Sequence, residues 1–204
     1  SDGETHQGLF DLSFLNMIPN MTILSPKNRW EMADMVRFCA DFQYPVALRY
    51  PRGAAYEGLS AFRTPIVYGK SEILYEEEDI AVIFVGHMAE LAVQVRDRLK
   101  EIGYHCSLIN ARFVKPLDTE MLGALTKDHR LFVTIEENVL SGGFGEQVLH
   151  YVSRAKLDVG VRCIGIPDDY VEHGNVDLLR REVGLDAETI VKQIIADYVT
   201  IGKD

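Results

Sequence analysis

Ile80-Ala81-Val82-Ile83-Phe84-Val85 is six apolar residues without a break. A strand with one wet face alternates apolar and polar residues. An unbroken run of this length reads instead as a strand covered on both faces, as in a parallel sheet. The acidic run Glu76-Glu77-Glu78-Asp79 before it is a solvated turn, and residues 88–102 behind it read as a helix. The pattern then recurs: strands over 106–109, 131–135 and 161–164, and helices over 118–125, 145–156 and 186–199, with Asp118 as a cap. Residues 70–74 supply a candidate edge strand. Strands alternating with helices predict an α/β fold, doubly wound, with a mostly parallel sheet.

Upstream the same logic holds on a smaller scale. Residues 8–18 form a short helix candidate, broken by Pro19-Asn20, and residues 21–24 a short strand. Ser25-Pro26 opens a helix over 27–42, where Met32, Met35, Val36 and Cys39 follow helical spacing. Residues 45–50 are a strand that Pro51-Arg52-Gly53 ends. Strand, helix, strand predicts parallel pairing with a right-handed crossover. Residues 54–66 show no periodicity and read as a linker.

The 204 residues are 47% hydrophobic and 25% charged, with a net charge of -10 and a pI near 5.1. That balance argues against a nucleic-acid face, which needs clustered Lys and Arg. Cys39, Cys106 and Cys163 lie far apart with no CxxC, a usage that predicts reduced, buried thiols and a cytoplasmic setting. No run approaches the ~20 apolar residues of a membrane span. The opening Ser1-Asp2-Gly3-Glu4-Thr5-His6-Gln7-Gly8 is polar and turn-rich, and reads like the middle of a longer protein.

Three stretches carry chemistry. In residues 2–8, Asp2, Thr5 and His6 offer an acceptor, a hydroxyl and a titratable imidazole between flexible glycines. A turn that caps the next helix accounts for the same residues. Arg49-Tyr50-Pro51-Arg52-Gly53 places two arginines at a strand end, where parallel sheets bind ligands and where a guanidinium suits phosphate. A surface salt bridge explains the two arginines equally well. Ser141-Gly142-Gly143-Phe144-Gly145, after Glu136-Glu137-Asn138, has the form of a phosphate-cradling turn, but the spacing is not GxGxxG and two glutamates stand beside it. Close packing of helix on strand explains it as well. His87, following Gly86, reads as a turn residue.

Taken in order, DGETHQGLFDLSFL (2–15), IPNM (18–21), ALRYPRG (47–53), NARFVKPLD (110–118), TIEENVLSGGFGEQV (134–148), GIPDDYVEHG (165–174) and GLD (184–186) resemble the 1-deoxy-D-xylulose-5-phosphate synthase family of the transketolase superfamily, over essentially the whole chain. The resemblance implies a C-terminal portion: residues 1–55 the tail of a pyrimidine-binding domain, 56–64 a linker, and 65–204 a transketolase C-terminal-like domain. It implies that His6 contacts substrate or a cofactor-bound intermediate, that Arg52 grips the phosphate of glyceraldehyde 3-phosphate, and that Asp2 stands beside the histidine. It also implies a carboligation of pyruvate, with loss of CO2, to glyceraldehyde 3-phosphate, assisted by thiamine diphosphate and Mg2+, in a homodimer that feeds isoprenoid and thiamine synthesis. The family's diphosphate motif and pyrimidine-activating glutamate fall outside these residues. No cofactor is therefore expected on this chain alone, and no turnover without the N-terminal domains of the same enzyme. A β subunit or half of another thiamine-diphosphate enzyme would share the strand order without the DGxTHQG and RYPRG pair. A purely structural dimerisation module is a further alternative.

Overall fold

The computed structural model describes residues 3–202 of the chain. In order it forms α1 (Asp11–Asn16), β1 (Thr22–Leu24), α2 (Arg29–Asp41), β2 (Val46–Leu48), β3 (Glu72–Tyr75), β4 (Asp79–Phe84), α3 (Ala89–Glu101), β5 (Cys106–Asn110), β6 (Phe113–Lys115), α4 (Thr119–Leu125), β7 (His129–Val139), α5 (Phe144–Ala155), β8 (Gly160–Ile166), α6 (Val176–Glu182) and α7 (Ala187–Ile201). Asp2 lies outside the described residues.

The apolar run of β4 sits at the centre of a five-stranded sheet of order β3-β5-β4-β7-β8. β4 is parallel to β5 and β7, and β7 to β8, while the edge strand β3 runs antiparallel to β5. Side chains alternate faces along a strand, and both faces here are covered. Ile80, Val82 and Phe84 pack with Ala92, Val95 and Leu99 of α3 and Ile190 and Ile194 of α7. Ala81, Ile83 and Val85 pack with Leu122 of α4 and with Phe144, Val148 and Val152 of α5. The mostly parallel, doubly wound sheet is therefore as the sequence predicts.

A smaller sheet has the order β2-β1-β6. β1 and β2 are parallel, as expected for strand-helix-strand, and β6 joins β1 antiparallel from much later in the chain. β6 is not anticipated by periodicity. β7 also runs four residues past its expected end, through the glutamates. Helix α2 starts later than the proline suggested: Asn28 is its cap, and its side chain accepts the Glu31 amide at 3.0 Å. Asp118 caps α4 as expected, accepting the Met121 amide. The three cysteines are free, but only Cys106 is buried; Cys39 and Cys163 are partly exposed, which corrects the expectation of buried thiols. No helix among the described residues is long and apolar enough to cross a membrane.

Between the two sheets lies a buried polar knot. Lys27 pairs with Glu31 (2.9 Å) and Glu72 (2.6 Å), and Arg112 pairs with the same two carboxylates at 2.8 and 2.9 Å. All four side chains are at most 3% exposed. Asn110 Nδ2 donates to both oxygens of Glu31, and Thr64 donates to Glu72 from its amide and its hydroxyl. Two cations face two anions with their hydrogen bonds filled, the condition under which buried charge is tolerated. The irregular stretch before β3 is held here too, because Arg112 donates to the carbonyls of Thr64 and Pro65.

Candidate functional site

The carboxyl ends of β2, β4, β7 and β8 open onto a cavity of about 530 Å3. Arg49 follows β2, His87 sits in a single 3-10 turn (Gly86–Met88) after β4, Glu137 lies near the end of β7, and Ile166 ends β8. Ligands of open α/β sheets bind at such edges. His6 and Arg52, read from separate stretches of sequence, line this one cavity together with Arg49, Asp11, His87, Glu137 and Arg180. Three arginines converge there against two carboxylates, in a chain with a net charge of -10. Val176, Leu179 and Val183, on one face of α6, supply an apolar wall. A wider depression of about 890 Å3 at the opposite end of the sheet is rimmed by Glu76, Glu77, Glu78, Asp118, Glu120 and Asp128. Its carboxylates repel phosphate.

His6 is exposed at the rim, in a turn closed by its own amide to the Gly3 carbonyl at 2.9 Å. Its Nδ1 lies 2.8 Å from the Thr5 hydroxyl, which leaves Nε2 for a ligand. Arg52 is exposed and also borders a smaller neighbouring cavity of about 260 Å3.

Behind these two lies a network that sequence reasoning missed except for Arg49. Glu137 contacts His87 Nε2 at 2.5 Å and accepts from Arg180 Nε at 2.7 Å. His87 Nδ1 faces an Arg49 guanidinium nitrogen at 3.5 Å. Arg49 also donates to the carbonyls of Gly8 (3.2 Å) and Glu137 (2.9 Å). Burial alone would raise the Glu137 carboxyl, but the hydrogen bonds and charge of its two partners hold it well below the ordinary carboxylate range. Burial lowers the His87 imidazole, opposed by Glu137 and helped by Arg49 and Arg180. Burial also lowers Arg49. Only the pairing of cationic residues at 49 and 52 was visible in the sequence. His87 and Arg180 stand 50 and 43 residues from Glu137, and no local pattern marks them.

The run Glu136-Glu137-Asn138 explains the glycine-rich turn. Glu136 is fully buried, and its oxygens accept the amides of Phe144 (2.8 Å) and Gly145 (2.7 Å) at the start of α5. The protein's own carboxylate thus occupies the position a phosphate would take. A Cβ at Gly143 would stand 2.7 Å from both Glu136 oxygens, so the glycine serves this internal contact. Of the two readings of residues 141–145, close packing of helix on strand prevails over a phosphate cradle. Neither a diphosphate nor its metal fits this turn. Asn138 Oδ1 accepts the Leu12 amide at 3.0 Å, and the Val139 amide donates to the Leu9 carbonyl at 2.8 Å. The segment that carries His6 is thereby sewn to the end of β7.

Comparison with known proteins gives the lineage. Residues 69–190 match the family described as transketolase, C-terminal domain, and residues 1–57 match transketolase, pyrimidine binding domain. The chain is 50% identical over 95% of its length to a 1-deoxy-D-xylulose-5-phosphate synthase of Lachnoclostridium phytofermentans. It is 41% identical over 96% to that of Clostridium acetobutylicum. It spans 31% and 32% of those relatives, about a third of their length. Among solved structures, a split-gene transketolase described as an inactive β4 tetramer superposes with a TM-score of 0.89 at 24% identity, over 97% of this chain and 64% of that one. A Campylobacter jejuni transketolase superposes with a TM-score of 0.74 at 17% identity, over 96% and 29%. At those identities the likeness shows the fold alone. With both transketolase models matched in order, the chain belongs to the transketolase family and corresponds to a C-terminal portion of the 1-deoxy-D-xylulose-5-phosphate synthases that it resembles.

Proposed function

We propose that this chain is the acceptor side of a thiamine-diphosphate-dependent transferase, which joins pyruvate, with loss of CO2, to glyceraldehyde 3-phosphate. The observation that carries the reading is the meeting of His6 and Arg52 in one cationic cavity at the carboxyl edge of the sheets. On this reading Arg52 takes the acceptor's phosphate through its planar fork. His6, with Nδ1 engaged by Thr5, donates from Nε2 to the reacting carbonyl or hydroxyl. By resemblance, Asp2 is the acidic partner expected for the histidine. The apolar wall of α6 covers the carbon chain and keeps water out. The cofactor supplies the electron sink for decarboxylation. It is held elsewhere in the assembled enzyme, because the one glycine-rich turn considered for it here is filled by Glu136. The partners are the N-terminal domains of the same enzyme and a second copy in a homodimer, with units dividing near residues 56–64. The 204 residues alone are expected to show no turnover of the two substrates above background.

In the assembled enzyme, Arg52→Ala is expected to raise the KM for glyceraldehyde 3-phosphate about 10- to 150-fold, the worth of one charge-assisted bond of roughly 1.5–3 kcal/mol. Pyruvate, which carries no phosphate, should be little affected, and Arg52→Lys should recover part of the loss. His6→Ala is expected to lower kcat instead, because proton sharing matters most in the transition state. Equal effects of Arg52→Ala on both substrates, or none on either, would overturn the phosphate assignment.

A further inference from the structure

We propose that His87, held by Glu137 as the neutral Nε2–H tautomer, is a positioning residue: its bare Nδ1 aims Arg49, and through Arg49 the turn that carries His6, into the cavity. The inference rests on the acceptor-site reading above.

The geometry assigns each proton. Glu137 Oε2 is an acceptor 2.5 Å from Nε2, so that nitrogen carries the hydrogen. A guanidinium nitrogen of Arg49, a donor only, faces Nδ1 at 3.5 Å, so that nitrogen keeps its lone pair. A proton at Nδ1 would put two donors, both cationic, against each other. The charged groups facing the ring are Glu137 from β7, Arg49 from the end of β2 and Arg180 from α6. Arg180 holds the second Glu137 oxygen, so the carboxylate cannot swing away from the imidazole without losing that bond.

Arg49 is where the network meets the site. Its other contacts are the Gly8 carbonyl, two residues from His6, and the Glu137 carbonyl at the end of β7. One guanidinium thus ties the His6 segment to the large sheet, at the point where the chain turns through Gly8 at a φ of +72°. Gly86 allows the approach from the other side. It takes a φ of +55°, and a Cβ there would fall 2.0 Å from the Ser25 hydroxyl. The turn bearing His87 therefore lies flush against the loop after β1. An asparagine at 87 can still present an acceptor near the Nδ1 position, whereas a leucine cannot.

Nitrogen-detected NMR on the 204-residue chain at neutral pH is expected to show His87 with a proton on Nε2 and none on Nδ1. A proton on Nδ1, or on both nitrogens, would overturn the inference without any variant being made. Inorganic phosphate titrated into the same chain is the second measurement. Arg49 adds its charge to the cavity beside Arg52, so His87→Leu, which frees Arg49 to turn away, is expected to weaken phosphate binding about tenfold, with His87→Asn within about threefold of the parent. If Arg52→Ala abolishes phosphate binding while His87→Leu leaves it unchanged, the positioning role falls and the acceptor-site reading stands. If Arg52→Ala has no effect, the acceptor-site reading falls. If the parent chain binds no phosphate, the acceptor-site reading falls, and the positioning role that rests on it falls too.

Discussion

Glu136, Glu137 and Asn138 are consecutive and polar, and each does a different job at the end of a buried strand. Glu137 faces the cavity and its cations. Glu136 faces the amino end of α5, where two amides are its partners; among the described residues no cation pairs with it, and Arg49 acts on it only at a distance. Burial raises the Glu136 carboxyl to about 7, against the pull of the Gly145 and Phe144 amides. Between pH 4.5 and about 7 the folded protein therefore keeps a proton that the unfolded chain has released, and stability falls as pH rises through that window. The drop is on the order of 3 kcal/mol. His87, lowered on folding, works the other way near its own titration. Comparison with Glu136→Gln isolates the carboxyl, since both proteins share His87. Denaturant midpoints at pH 5 and pH 7.5 are expected to differ less in Glu136→Gln than in the parent. Equal slopes in the two proteins would mean that the amides keep Glu136 ionised throughout. None of this was legible in the sequence, where two glutamates beside a glycine-rich turn argued only against a bound phosphate. His6 and Arg52 stand out in the sequence as candidates because of their own chemistry and neighbours, whereas His87 and Arg180 join the network only through a carboxylate distant in the chain.

Elements differ in how much of their stability is their own, and α1, read from the sequence within residues 8–18, shows that a readable element can still depend on its neighbours. β4 is decided by its composition, since a run of six apolar residues has to be covered on both sides. β6 has three residues and exists because β1 offers an edge to pair with. α6 has no buried residue, and its apolar positions Val176, Leu179 and Val183 line a cavity rather than a core. α1 is a six-residue helix with no side-chain cap of its own and one buried residue, Leu12. Helices this short do not persist in water, so α1 depends on β7. Asn138 accepts the Leu12 amide and donates to Ser13 Oγ at 2.8 Å, and Ser13 Oγ in turn donates to the Ser141 carbonyl at 2.6 Å. Asn138→Ala leaves buried partners unsatisfied and is expected to cost about 1–3 kcal/mol. Hydrogen exchange should quicken at Leu12 and Val139, while the amides of β4 stay protected. Uniform loss of protection across both sheets would show instead that Asn138 supports the global fold.

At the scale of the whole molecule, two sheets are joined by the four-charge knot and by the chain itself, which passes from β5 of the large sheet to β6 of the small one. Sequence reading placed a linker over residues 54–66, and that stretch contains no helix or strand, yet Thr64 and Pro65 within it are tied to Arg112. Periodicity cannot reveal such ties, because they join side chains to backbone carbonyls nearly fifty residues away. Arg112 reaches both carboxylates from a backbone φ of 55°, an arrangement only the completed network holds in place. Burial pushes the Glu72 carboxyl up, but Lys27, Arg112 and the Thr64 amide outweigh it and the net shift is downward. Its contribution is therefore present above the ordinary carboxylate pKa and is lost as pH falls through the lowered one. Removing one member leaves uncompensated charge. Glu31→Ala would strand Lys27 and Arg112 with Glu72 alone, and is expected to destabilise by about 3–5 kcal/mol. The loss should begin in one place. Amides of β1, α2 and β2 are expected to exchange faster and to open at lower denaturant than those of β4 and β5, turning one cooperative transition into two. A Glu31→Ala protein that unfolds in a single transition at the parent's midpoint would mean that apolar packing, through Ile23 and Leu12 against the large sheet, holds the two sheets together without the knot.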